Sequence, residues 1–340
     1  MSDLHIENLH KEYKGVPVLN GIELHVAQGE LVSLLGPSGC GKSTTLNIVA
    51  GFMQPTRGRV LIGGSDVTPE PPYRRDSSIV FQNYALFPHK TVWANVAFGL
   101  LRRKITKAEI AKRVGEVLRM VDVEDLASRY PNQLSGGQQQ RVAVARAIAV
   151  QPGVLLLDEP LSNIDQKLRL EVRSQLRKLQ LALKQTALFV THDQHEAIEM
   201  SDRIAVMREG RIEQLGTPRE IFEMPATAYV ADFVGFENLH PTERLVSEFG
   251  PRSALSHSQS IAFRARNVTI SRQRVDNPDT VEIDARVTSS TYVGDSHRVE
   301  LSGQSTGLPI VAEVQGDSPE LRAGDDVRVA LRIEDLVGIK

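Results

Sequence analysis

The segment Gly36–Thr44 reads GPSGCGKST and fits the spacing G-x-x-x-x-G-K-[ST]. Glycines let a backbone wrap closely around phosphate oxygens, and a helix N-terminus behind them supplies free N–H groups and a positive dipole. In such a cradle Lys42 reaches the β- and γ-phosphates and Ser43 ligates Mg²⁺, with Gly36, Pro37, Ser38, Gly39, Cys40, Gly41 and Thr44 shaping the loop. Cys40, beside a lysine and near a helix start, is expected to favour the reactive thiolate. Far downstream, Asp158 and Glu159 close the apolar run VLLL. Asp158 there is placed to hold Mg²⁺, directly or through water, and Glu159 to orient or deprotonate an attacking water. A solvated acidic pair is the bland alternative. Gln82 and His192 each stand just beyond a short apolar run, and their amide and imidazole suit contact with a water or a γ-phosphate.

The elements that must carry these residues follow from the pattern. LVSLL (31–35), Ile79–Phe81, VLLL (154–157) and ALFV (187–190) are short and apolar throughout, as strands buried on both faces are. Leu168, Val172, Leu176, Leu179 and Leu183 recur at helical spacing with charges between them, which predicts a crossover helix. Strands alternating with helices imply an α/β fold with ligands at the carboxyl ends of a parallel sheet. STTLNIVA opens a helix that Gly51 stops. Residues 88–133 read as a helical insert without a clear strand. From about residue 236 the texture changes: VEIDARV, HRVEL, LPIVAEV and DVRVALRI alternate with period two and predict a small all-β domain. The expected division is therefore 1–235 and 236–340.

A second glycine-led helix start, LSGGQQQRVAVARAI (134–148), has the S-x-x-Q spacing of a capping box at Ser135 and Gln138. Gly136 and Gly137 let a ligand approach the backbone, so this is an anion site without a lysine of its own. Two copies arranged head to tail would complete each other's sites. The alternative is a capped helix with no ligand.

Taken together, these motifs resemble the ATP-binding subunits of ABC transporters, over roughly residues 3–235. GPSGCGKST matches the Walker A loop, LSGGQ the signature, VLLLDEP the Walker B strand, LSNID ending at Asp165 the D-loop, Gln82 the Q-loop glutamine and His192 the switch histidine. Tyr13 falls where that family stacks an aromatic ring on adenine. The resemblance implies ATP and Mg²⁺ as ligands. Glu159, His192 and Gln82 would be catalytic, Ser43, Gln82 and Asp158 would surround the metal, and Ser135–Gln138 with Asp165 would meet the nucleotide of a second copy in a homodimer. PPYRRDSSIVFQNYALFPHKTVWANVAFGLL is similar to importer subunits for polyamines, iron(III) and phosphonates. GTPREIFEMPATAYVADFVG looks like their linker to a C-terminal OB-like regulatory domain. This implies transmembrane permease subunits as partners, with a coupling helix near Tyr84, Phe87 and Trp93, and a solute-binding protein acting indirectly. The alternative is that those aromatics are core of the insert. Ser78, His195 and FRARNV (263–268) depart from the family's usual residues.

Bulk properties exclude other classes. Forty basic against 42 acidic residues argue against a nucleic-acid binder. One cysteine excludes an internal disulfide and suits a reducing compartment. No run approaches the ~20 apolar residues of a membrane helix, and the N-terminal stretch lacks a signal-peptide core. The expected location is the cytoplasmic face of the inner membrane, reached through a partner. No N-K-x-D guanine-reading motif is present. The other reading, a soluble ABC ATPase of repair or translation, lacks the coiled-coil insertion or second cassette usual there.

Overall fold

The computed structural model describes residues 2–103, 105–249, 258–272, 277, 279–315 and 321–339. The chain divides into two compact units, Met1–Pro218 and Arg219–Lys340. The helix Pro218–Glu223 begins at the last residue of the first unit, and the helix Ala228–Phe233 lies wholly within the second.

The first unit opens with β1 (Leu4–Tyr13), β2 (Val16–Val26) and β3 (Leu31–Leu35), then α1 (Lys42–Ala50). Next come β4 (Arg57–Ile62), β5 (Ser65–Asp66), β6 (Ser77–Val80), α2 (Val92–Leu100), α3 (Lys107–Met120) and α4 (Gly136–Ala149). It ends with β7 (Val154–Asp158), α5 (Gln166–Leu183), β8 (Thr186–Thr191), α6 (Gln194–Met200), β9 (Arg203–Arg208) and β10 (Arg211–Gly216). Residues 88–133 hold α2, α3 and two 3₁₀ turns, and no strand among the described residues.

Two sheets form. One is antiparallel, in the order β2-β1-β4-β5; the other runs β10-β9-β3-β8-β7-β6, parallel except for the edge strand β10. Alternation along β7 explains why VLLL needs no polar face. Val154 and Leu156 enter a core shared with Val32, Leu34, Val190 and α1, while Leu155 and Leu157 enter the opposite core with Phe189 and α2–α5. A fully buried leucine such as Leu156 contributes about 1.5–3 kcal/mol by burial. In α5, Val172 and Leu176 are buried and Leu168, Leu179 and Leu183 pack partly against the same core, as their spacing predicts.

The strand order fixes the site. β3, β8, β7 and β6 are neighbours and parallel, so their carboxyl ends share one edge of the sheet. That edge carries Gly36 after β3, His192 after β8, Asp158 and Glu159 at β7, and Gln82 after β6.

In the second unit, the described residues from Ser260 onward hold strands and 3₁₀ turns. The sheets there are ordered Asn238–Pro241, Ser260–Phe263, Val337–Ile339, and Thr269–Ser271, Asp326–Arg332, Thr280–Tyr292, Ser296–Gly303, Pro309–Gln315. The four alternating segments are strands whose inward residues, among them Val281, Ile283, Val299, Ile310 and Val329, build one core. FRARNV (263–268) leaves the strand Ser260–Phe263 and makes a 3₁₀ turn over Ala265–Asn267. Arg264 lies over the Phe236 ring at 4.2 Å and donates to Phe222 O at 2.7 Å. Ala265 N donates to Glu237 Oε2 at 3.0 Å, a bond that a proline at this position could not make.

Candidate active site

The loop after β3 exposes Pro37, Ser38 and Gly39 and buries Gly36, Cys40, Gly41 and Lys42; Ser43 is exposed and Thr44 half-buried. Gly41 has φ +109°, and a Cβ there would stand 2.6 Å from Leu19 Cδ2, so the turn into α1 demands glycine. The helix start behind it is open. Side chains of Thr91, Thr106, Ser135, Asp165 and Asp193 cap α2, α3, α4, α5 and α6, whereas Gly41 gives α1 no side-chain cap and its first turn has no acid. The orphan N–H groups of that turn suit an anion. Lys42 is 5% exposed, its Nζ donating to Gly36 O at 2.7 Å and Pro37 O at 2.9 Å.

Across the edge, Ser43 Oγ donates to Asp158 Oδ1 at 3.2 Å. Burial pushes the Asp158 carboxyl up; the Ser43 bond opposes this, the neighbouring Glu159 charge adds to it and Lys42 opposes it. A hydroxyl beside a carboxylate held above its ordinary range is a donor set that a hard cation would relieve. Glu159 takes φ +42°, uncommon for a residue with a side chain, and its N–H donates to Val190 O at 3.0 Å. This backbone turn aims its carboxylate at its neighbours: Oε2 lies 3.2 Å from His192 Nδ1 and 3.5 Å from Gln82 Nε2. Side chains from three strand ends thus meet at one oxygen, next to the Ser43–Asp158 pair.

Supports that the sequence reading missed hold the segment after β6. Tyr84 and Ala85 both have positive φ, and Arg146 on α4 donates to their carbonyls at 2.9 and 2.7 Å. Asn163 Nδ2 donates to Gln82 O at 2.9 Å, and buried Asn95 bonds to Phe87, Lys90 and Thr91. A polar residue on the α4 pattern, Arg146 among alanines and valines, was the one available signal. Of the three aromatics, Tyr84 is core at 5% exposure, Phe87 packs on Phe98 at 4.5 Å, and Trp93 is 38% exposed.

The remaining predicted residues lie elsewhere. Ser135 and Gln138 form the capping box, with Gln138 N donating to Ser135 Oγ at 3.4 Å and Ser135 N to Gln138 Oε1 at 3.0 Å. Gly137 has a packing reason, since a Cβ would stand 2.6 Å from Leu168 Cδ2; Gly136 sits near Asn163 O. Among the described residues no hydrogen bond joins Leu134–Gln138 to Gly36–Thr44. Asp165 caps α5, its Oδ1 accepting from Leu168 N at 3.0 Å. Tyr13, 44% exposed, donates to Met53 Sδ at 2.7 Å and lies under Lys11 Nζ at 5.2 Å. Cys40 corrects an expectation: burial pushes its thiol up and outweighs Lys42, whose Nζ is 3.9 Å from Sγ.

A family model described as ABC transporter matches residues 19–162, and one described as TOBE domain matches residues 261–339. A dimeric structure of the ATP-binding cassette MJ0796 in a post-hydrolysis state, bound to ADP and Pi, is 35% identical. It aligns with TM-score 0.56 over 64% of this chain and 99% of that one.

The chain belongs to the ABC transporter family.

Its cassette is the ABC ATPase fold, followed by an all-β TOBE domain. CbiO1 of Clostridium perfringens, part of the ABC transporter complex cbiONQ, is 33% identical, with TM-score 0.60 over 64% of this chain and 90% of that one. Among curated proteins, the spermidine/putrescine import ATP-binding protein PotA of Trichormus variabilis is 54% identical over 246 residues, 72% of this chain and 65% of that protein. Its counterpart from Acidothermus cellulolyticus is 57% identical over 224 residues, 66% of this chain and 58% of that protein. The matched part spans less than two thirds of these relatives' own length. No helix among the described residues is long and apolar enough to cross a membrane.

Proposed function

We propose that this chain is the ATP-hydrolysing subunit of an ABC importer for polyamines of the spermidine/putrescine type. The observation that carries the reading is the convergence of Gln82 and His192 on Glu159, beside Ser43 and Asp158, at the mouth of an uncapped phosphate loop. The triphosphate lies along Gly36–Thr44, with Lys42 turning from its own loop carbonyls to the β- and γ-phosphates. Ser43 and Asp158, with Gln82 beside them, would hold Mg²⁺, which would supply neutralisation of charge on the phosphate oxygens. Glu159 accepts the proton of the attacking water, and His192 keeps that carboxylate in place and faces the γ-phosphate. Tyr13, exposed at the end of β1, stacks on adenine.

Completion of the site requires a second copy. Ser135, Gly136, Gly137, Gln138 and Asp165 have no bond to their own phosphate loop, and dimeric cassettes are among the similar structures. In the homodimer they cover the partner's nucleotide. Permease subunits dock near Trp93 and the segment after Gln82, which places the protein peripherally on the cytoplasmic face of the inner membrane. The solute assignment rests on the PotA relatives. The test is uptake in cells that depend on this chain. Labelled spermidine should accumulate with the parent and not with Lys42→Ala. Iron(III) or phosphonate uptake in its place would replace the solute, and a chain without Mg²⁺-dependent ATP hydrolysis would end the reading.

A further inference from the structure

The antiparallel register sets His5 on β1 directly opposite His25 on β2. Asp3, two residues before His5, leaves the chain on the same face, while the intervening Leu4 and the following Ile6 point into the core. Asp3 Oδ2 lies 2.9 Å from His5 Nε2 and 3.9 Å from His25 Nε2, and the donor atoms of all three residues lie within 4.8 Å of one another. The two imidazoles stack with centroids 4.0 Å apart. Arg203 Nη2 donates to His25 O at 2.6 Å and fixes the backbone of β2 at this point.

We propose that Asp3, His5 and His25 form a binding site for a first-row divalent transition metal of the Zn²⁺ type, separate from the nucleotide site. Tetrahedral bonds of ~2.0–2.2 Å put neighbouring donors ~3.3–3.6 Å apart, and the two Asp3–His distances bracket that spacing. Two imidazoles with one carboxylate select zinc, nickel or copper, whereas Mg²⁺ prefers the all-oxygen setting of Ser43 and Asp158. Coordination uses the Nε2 lone pairs, so each ring carries its proton on Nδ1 and the His5–Asp3 hydrogen bond gives way to the metal. The rings must turn out of their stack, with planes now 28° apart, to converge on one ion. Both side chains are exposed, 38% and 52%, so little packing opposes that rotation. A fourth position is left for water, and the metal ties β1 to β2.

The experiment is calorimetric titration of Zn²⁺ into the nucleotide-free full chain, for the parent, His5→Gln, His25→Gln, Asp3→Asn and His10→Gln. The parent should take up one ion with micromolar affinity, typical of an exposed three-ligand site. Each of the first two variants should weaken that site by at least about tenfold, and Asp3→Asn should weaken it too. His10, on the same strand but paired with Asn8, should leave it unchanged. Electron paramagnetic resonance of the Cu²⁺-loaded parent should show coupling to two imidazole nitrogens, falling to one in His25→Gln; this readout does not depend on variant stability. No zinc uptake by the parent, His variants that bind like the parent, or a copper spectrum without paired nitrogens would reduce the trio to an ordinary cross-strand contact and overturn the proposal.

Discussion

Replacing Glu159 by glutamine isolates the proposed proton acceptor from everything around it. The amide has the shape of the carboxylate and its oxygen still accepts from His192 Nδ1, now 3.2 Å from Oε2. The φ of +42° at this residue is held by the N–H bond to Val190 O, which the substitution leaves alone. The Ser43–Asp158 pair also stays, and Asp158 loses a like-charged neighbour. Nucleotide and metal binding should therefore persist, and so should dimer formation. What should be lost is the proposed positioned base, a group typically worth 10²–10⁴-fold, or about 2.7–5.4 kcal/mol in the barrier. The assay is single-turnover hydrolysis with protein in excess over MgATP, alongside direct measurement of ATP affinity. A hydrolysis rate within about tenfold of the parent, below the range expected for a lost general base, would remove Glu159 from the chemistry.

Asp158→Asn should raise the melting temperature of the nucleotide-free protein at neutral pH and abolish Mg²⁺-dependent hydrolysis. The folded state holds this carboxyl above its unfolded pKa, so its stabilising contribution is present at low pH and lost as pH rises through the folded value. The stability gap between variant and parent should therefore shrink on acidification through the carboxylate range; a widening gap, read by calorimetry, would refute the cause assigned. Cys40 should label slowly with iodoacetamide in the native protein and fast after unfolding, because burial outweighs its lysine neighbour. Equal rates by mass spectrometry would show the thiol to be accessible and ionised.

The phosphate loop, the strand ends and the all-β tail were legible because each rests on local spacing: the glycine–lysine pattern, unbroken apolar runs and period-two alternation. The antiparallel sheet of β1, β2, β4 and β5 was not. Its alternation is broken by register shifts between Ile6 and Leu9 and between Lys11 and Glu12, so the strands lose the period that would reveal them. Arg146 and Asn163 act on carbonyls 62 and 81 residues away in sequence, a dependence on tertiary structure that no local pattern carries. Cys40 shows the same limit in electrostatics. Its lysine neighbour is visible in the sequence, but the burial that dominates it is not. Gly137 shows it in packing, since its contact with Leu168 arises where α4 meets α5.

The central claim is that each nucleotide is held between one chain's phosphate loop and the other's Ser135. ATP occlusion in purified heterodimers, with one chain carrying Lys42→Ala and the other Ser135→Arg under different tags, tests it most directly. Sharing in trans puts both lesions in one composite site and leaves the other wild type, so one trapped nucleotide per mixed dimer is expected. If Ser135 served its own chain's nucleotide, each chain would spoil its own site. No trapped nucleotide, with both parents folded and able to dimerise, would contradict the account.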